Sequence, residues 1–185
     1  MMISAIRSRV RRWRLLVPVM ALATAASPHL QMVLAAADGD LDPTFGPAGT
    51  GKVQVDFAGN FDNANAVAVQ PDGKIVVAGT TFIGGQGDFA VARLNQDGTL
   101  DPTFDGDGRV TTDSGGNQPD ATLAVTLQPD GKIIVVGSSD AGGVRRFAVI
   151  RYNTDGSLDT SFNETGKVAT DFGGGSIRPS TRTAS

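Results

Sequence analysis

Carboxylates are the groups best supplied for chemistry in this chain. It has 19 Asp and Glu, no cysteine and one histidine, His29. The densest acidic stretch is "DPTFDGDGRV", Asp101 to Val110, which holds Asp105-Gly106-Asp107-Gly108. Oxygen ligands at alternate positions beside glycine follow the pattern of calcium loops, so Asp105 and Asp107 are candidate calcium ligands. Two stretches in the same motif context, "GPAGTG" at Gly46 and "NETG" at Asn163, lack the acid pair. A cation bound as a feature of the fold would keep its ligands in each copy, so a plain Gly/Asp turn is the favoured reading and no cofactor is expected.

A second set, Asp42, Asp101 and Asp159, recurs in L-D-x-[ST]-F. An Asp two residues before Ser or Thr can accept local N–H groups and set a turn, which explains recurrence better than a shared active site. Paired carboxylates for glycoside cleavage are the one enzyme chemistry left open. Histidine triads, thiol nucleophiles and His/Cys zinc sites lack their residues after Ala37. No acid sits in a setting of its own, so an enzyme is not expected. Arg145-Arg146, in "SSDAGGVRRF", is the most distinctive feature without a copy, since "TTFIGGQGDF" occupies the equivalent place. Loops that vary on a regular scaffold carry binding specificity, which makes this pair a candidate ligand loop, with a solvated charge pair as the favoured alternative.

These residues need elements to hold them, and the first 37 residues stand apart from the rest. Arg7, Arg9, Arg11, Arg12 and Arg14 precede the apolar run "LLVPVMALATAA" (Leu15 to Ala26), and Ala35-Ala36-Ala37 ends the segment. A basic start, a short apolar centre and a small-residue end describe a secretory signal peptide, cut after Ala37, with Ala23-Thr24-Ala25 as a second site. Pro18, Pro28, His29 and Gln31 interrupt the run, so no stable membrane span is expected. Removal takes five of the 16 cations and none of the 19 acids, and the formal charge falls from −3 to −8. An acidic chain without a basic stripe argues against nucleic acid as a partner.

From Asp38 the chain repeats itself. "QPDGKIVVAG" at Gln70 returns as "QPDGKIIVVG" at Gln128, 58 residues on. "DGDLDPTF", "DGTLDPTF" and "DGSLDTSF" begin at Asp38, Asp97 and Asp155. "GKVQVDF" at Gly51 returns as "GRVTTDS" at Gly108 and "GKVATDF" at Gly166. Units at 38–96 and 97–154 follow, with a partial third at 155–175 and an irregular tail at 176–185. Each unit reads as four short strands, in the first copy Lys52–Phe57, Ala64–Gln70, Lys74–Thr81 and Asp88–Leu94. Pro71-Asp72-Gly73 and Pro129-Asp130-Gly131 read as the turns between buried strands, with Pro presetting φ and Gly accepting φ > 0. Near-continuous apolar strands suit sheets covered on both faces. The expected fold is all-β, with β-propeller-type blades of four antiparallel strands, two complete repeats and a partial third, an incomplete propeller. A β-solenoid is the alternative.

The combination D-G-x-L-D-x-[ST]-F with Q-P-D-G-K-[IV]-[IV]-V resembles the delta-60 repeat, a bacterial β-propeller repeat of exported and surface proteins. The resemblance covers Asp38 to about Gly175 and implies fold and export, extracellular, at the cell surface or in the periplasm. It carries no catalytic residues over. Two blades and a stub would leave a first and a last face open, so the chain either assembles with copies of itself or is a piece of a longer protein, the second being favoured. The function expected is non-enzymatic binding or scaffolding. The partners would be other blades, further copies of the chain, or an extracellular carbohydrate or protein. The alternatives are a self-assembling carbohydrate-binding propeller and a carboxylate-dependent glycan-cleaving enzyme.

Overall fold

In the computed structural model of the protein, the structure describes residues 39–57, 61–115, 119–141 and 144–172. The expected signal peptide and the tail 176–185 lie outside the described residues. Among the described residues, eight strands follow one 3₁₀ turn, Pro47–Gly49. They are β1 (Asp62–Val69), β2 (Ile75–Ile83), β3 (Gln86–Leu94), β4 (Arg109–Thr112), β5 (Asp120–Leu127), β6 (Ile133–Ala141), β7 (Val144–Tyr152) and β8 (Lys167–Thr170). They form two four-stranded antiparallel sheets, in the order β1-β2-β3-β4 and β5-β6-β7-β8. This is the all-β, propeller-blade architecture expected, and no described helix is long and apolar enough to cross a membrane.

The sheets are out of phase with the sequence units by one strand. β4 belongs to the second sequence unit but pairs with β3, placing Val91 opposite Val110. β8 belongs to the third unit but pairs with β7, placing Val149 opposite Val168. The stub expected to begin a third blade therefore completes the second. Lys52–Phe57, expected as a first strand, joins neither sheet. Its alternation persists, with Val53, Val55 and Phe57 half-buried between exposed neighbours. An outer strand needs the third strand of its own blade as partner, and among the described residues none precedes it.

The QPDGK duplicates are hairpin turns, as expected. Gly73 N–H donates to the Gln70 carbonyl at 2.9 Å, and Gln70 N–H to the Lys74 carbonyl at 2.8 Å. The same bonds join Gly131, Gln128 and Lys132. Both glycines sit at left-handed φ, 82° and 83°. A tight turn closed by a left-handed glycine sets the register of the apolar strands beside it.

One core lies between the two sheets. Val76, Ala78, Phe89 and Val91 of the first sheet meet Ile133, Val135, Ala148, Ile150 and Tyr152 of the second, with Phe104 beside them. Each fully buried large side chain contributes about 1.5–3 kcal/mol. Gly137 makes room for one of them, because a Cβ there would lie 2.9 Å from the Phe89 ring. Polar bonds frame this core. Thr122 N–H donates to Thr80 Oγ1 at 3.0 Å, and Asn65 Nδ2 to the Thr122 carbonyl at 2.8 Å.

Candidate binding surface

The two ends of each blade differ in kind. One end carries the PDG turns and the D-G-x-L-D-x-[ST]-F loops, and it is nearly the same in both copies. Asp101 Oδ1 accepts from Thr103 N–H at 3.0 Å and from its hydroxyl at 2.7 Å. Asp42 with Thr44 and Asp159 with Ser161 repeat this arrangement. The recurrent Asp therefore sets a turn, as its spacing indicated. Its other oxygen does more than the sequence reading foresaw. Asp101 Oδ2 meets Lys74 Nζ at 2.9 Å and Arg93 Nε at 2.6 Å. Asp159 Oδ2 meets Lys132 Nζ at 2.8 Å and Arg151 Nε at 2.6 Å. Each guanidinium also lies over a phenylalanine, Arg93 over Phe104 and Arg151 over Phe162. The signal was present in the sequence: these Lys, Arg, Asp and Phe all recur at a spacing of 58.

Burial alone would raise the Asp101 carboxyl, but Lys74, Thr103 and Arg93 together hold it well below the usual carboxylate range. Lys132 and Ser161 do the same for Asp159. A carboxylate so committed to two cations and a turn is a structural anchor.

The candidate calcium pair sits in the loop that follows. Asp105 adopts φ 50° and donates its N–H to the Asp155 carbonyl at 2.7 Å. Burial, then Asp107 and Asp155, push its carboxyl up. Asp107 is already engaged: its carboxylate accepts from Arg109 Nη2 at 2.8 Å and Nε at 3.2 Å. Asp107 Oδ1 also takes the Arg109 N–H at 2.9 Å. The loop thus gives the Asp107 carboxylate to its own chain.

The opposite end varies between copies. It comprises the β2–β3 and β6–β7 hairpin tips and the connection from β4 to β5. Arg145 and Arg146 lie here, within β7 and not in a loop, because β6 and β7 stay paired to Ala141↔Val144. Arg145 stands opposite Asp140 in the sheet, and Arg146 opposite Ser139. Gly142 and Gly143 of the expected loop lie outside the described residues. Arg145 is exposed and Arg146 half-buried. Both line a depression of about 320 Å³ together with Leu123, Phe147, Asp171 and Phe172.

At the same end, a cluster that single-sequence reading did not single out brings together Asp88, Asp113 and Asp120, one oxygen of each within 4.8 Å of the others. It spans the two sheets, which is why spacing along the chain did not reveal it. Asp120 is buried and caps the preceding turn, accepting from Ser114 N–H at 2.7 Å and Oγ at 2.8 Å. Burial, then Asp113 and Asp120, raise the Asp88 carboxyl. The equivalent of Asp88 in the second blade is Arg146. The same scaffold position thus carries an anion in one blade and a cation in the next.

Comparison with curated proteins gives no match. Two segments, 70–104 and 128–162, match the family model described as "Domain of unknown function (DUF5122) beta-propeller". Each segment runs from the Gln of a PDG turn to a Phe of the following loop, so it contains the Lys, Arg and Asp of one ion network together with the second and third strands. In both sequence and architecture, each blade of this chain is similar to that β-propeller repeat.

Proposed function

We propose that the chain is an exported, non-enzymatic β-propeller module of the delta-60 type that binds or scaffolds through the varying end of its blades. The observation that carries this reading is the exchange of Asp88 for Arg146 at equivalent positions, while the Lys–Asp–Arg anchors at the other end are duplicated. Residues needed for folding repeat in every blade, whereas a recognition surface must be specific to its place. Exposed Arg145 and the carboxylates of Asp88 and Asp113 give that end a mixed charge suited to polar extracellular partners, carbohydrate or protein. The commitment of Asp101, Asp107 and Asp159 to cations of the same chain supports the non-enzymatic reading.

The test is an array of neutral, acidic and amino polysaccharides and secreted proteins, probed with the purified chain. Binding that falls at least tenfold in Arg145→Ala or Asp113→Asn, and survives Asp72→Ala at the constant end, supports the proposal. Binding unaffected by the varying end, or glycan cleavage lost in Asp88→Asn, would overturn it. Export is checked by the intact mass of secreted protein, expected to begin at Asp38.

A further inference from the structure

The two outward faces of this pair of blades are the two halves of an interface already present between them. Phe89 of the first sheet is 0% exposed against the second, whereas its equivalent in the second sheet, Phe147, is 59% exposed. In the other direction, Val125 and Leu127 pack against the inter-sheet core. Their equivalents in the first sheet, Val67 and Val69, are 64% and 65% exposed. Each sheet thus leaves bare the face that its copy buries.

Part of a third blade already lies on the open face of the first sheet. Between the sheets, Asp105 N–H donates to the Asp155 carbonyl and Lys167 Nζ to the Asp113 carbonyl. The same two bonds recur one unit earlier: Gly46 N–H donates to the Asp97 carbonyl at 2.7 Å, and Arg109 to the Asp56 carbonyl. Residues 45–57 are therefore seated on the first sheet as the loop and outer strand of a preceding blade would be. Between them and β1–β3 lies a cavity of about 310 Å³, lined by Val53, Val55, Phe57, Val77, Ala90 and Leu94. None of the described residues supplies the three inner strands.

The sequence of that seated strand says which strands fit it. "GKVQVDF" (Gly51–Phe57) and "GKVATDF" (Gly166–Phe172) agree at five of seven positions, and the second contains β8. We infer that the chain associates head to tail with a second copy of itself, the β5–β6–β7 strands of one copy covering the open face of the other's first sheet. Lys52–Phe57 of the second copy then takes the place of β8 beside β7. By the register of β7 with β8, Val53 would stand opposite Val149 and Val55 opposite Phe147. Backbone pairing and the apolar core between blades drive the association, and nearly equal sequences make the two strands interchangeable at little cost. Because the two surfaces differ, the contact is heterologous and propagates until a ring closes.

The chain has no cysteine, so engineered pairs report pairing directly. Light scattering on the full chain is expected to give a discrete mass of at least two chains. Oxidised Val53→Cys/Val149→Cys is expected to form disulfides between chains, because these positions lie on opposite outward faces of one copy. Val149→Cys/Val168→Cys, which ties β8 to β7 within one copy, should abolish assembly. Phe147→Asp changes a side chain exposed in the single copy, so it should dissociate the oligomer with an unchanged β-sheet circular dichroism spectrum. A monomer at every concentration measured, absence of inter-chain disulfide in the first pair, or full assembly in the locked second pair would each overturn the inference.

Discussion

The Tyr152 hydroxyl donates to Thr112 Oγ1 at 2.8 Å, joining the third strand of the second blade to the outer strand of the first. Tyr152 is fully buried, and burial, only partly offset by Thr112, pushes its phenol well above the usual range. Burial thus keeps the phenol protonated, and able to donate this bond, above its ordinary titration range. Tyr152→Phe keeps the ring in the core and leaves the buried Thr112 hydroxyl without this donor. The expected cost is about 1 kcal/mol, a fall of roughly 2–6 °C in the unfolding midpoint by calorimetry.

Asp101 and Asp159 make the fold sensitive to acid. Both carboxyls lie below their ordinary value of 3.8 in the folded chain. A depressed carboxyl contributes stability that is fully present above the unfolded value and is lost as pH falls through the folded one. Unfolding midpoints should thus be level above pH 3.8 from this source and drop below it. Asp101→Asn, titrated in parallel, should show a flatter acid limb.

Asp101→Asn should also be the costlier of the two anchor substitutions. The Arg93 side chain is 6% exposed and the Arg151 side chain 19%, so Arg93 loses its partner in a drier place. Breaking a buried pair from one side costs about 3–5 kcal/mol. Denaturant midpoints should fall further for Asp101→Asn than for Asp159→Asn.

Asp88→Arg, which copies Arg146 into the first blade, should stabilise the fold. The folded chain holds the Asp88 proton more tightly than the unfolded chain, first through burial and then through Asp113 and Asp120. That penalty is absent where both states are protonated and sets in as pH rises through the ordinary value to the folded one. A cation there relieves Asp113 and Asp120 as well. Thermal unfolding near neutral pH should shift upward by a few degrees, and the gain should vanish in strong acid.

Gly73→Val tests the duplicated turn. Gly73 sits at φ 82°, and a Cβ there would press on the Gln96 side chain, with Cδ at 2.8 Å. A branched residue in left-handed backbone costs about 1–2 kcal/mol before any clash. Circular dichroism melts should show a loss of at least that size, and an unchanged midpoint would refute the turn geometry.

The local pattern of the sequence was enough to place β1, β2, β3 and the PDG turns, because strand and turn signals depend on neighbours a few residues apart. The recurrence of Asp42, Asp101 and Asp159 likewise marked a turn, since an Asp two residues before a hydroxyl needs nothing distant. Which strands share a sheet was a different matter. "GKVQVDF", "GRVTTDS" and "GKVATDF" look alike, yet the second and third contain β4 and β8 while the first stays outside both sheets. A strand exists only where a neighbour offers it hydrogen bonds, and that neighbour is chosen in three dimensions. The Asp88–Asp113–Asp120 cluster was hidden because its members come together only when the two sheets pack. The ion networks, by contrast, left a trace in the 58-residue recurrence of their members, and strand pairing decided which cation meets which Asp. Sequence by itself determined the unit and its repetition; the tertiary structure decided how the units interlock, because pairing and burial are properties of neighbours in space.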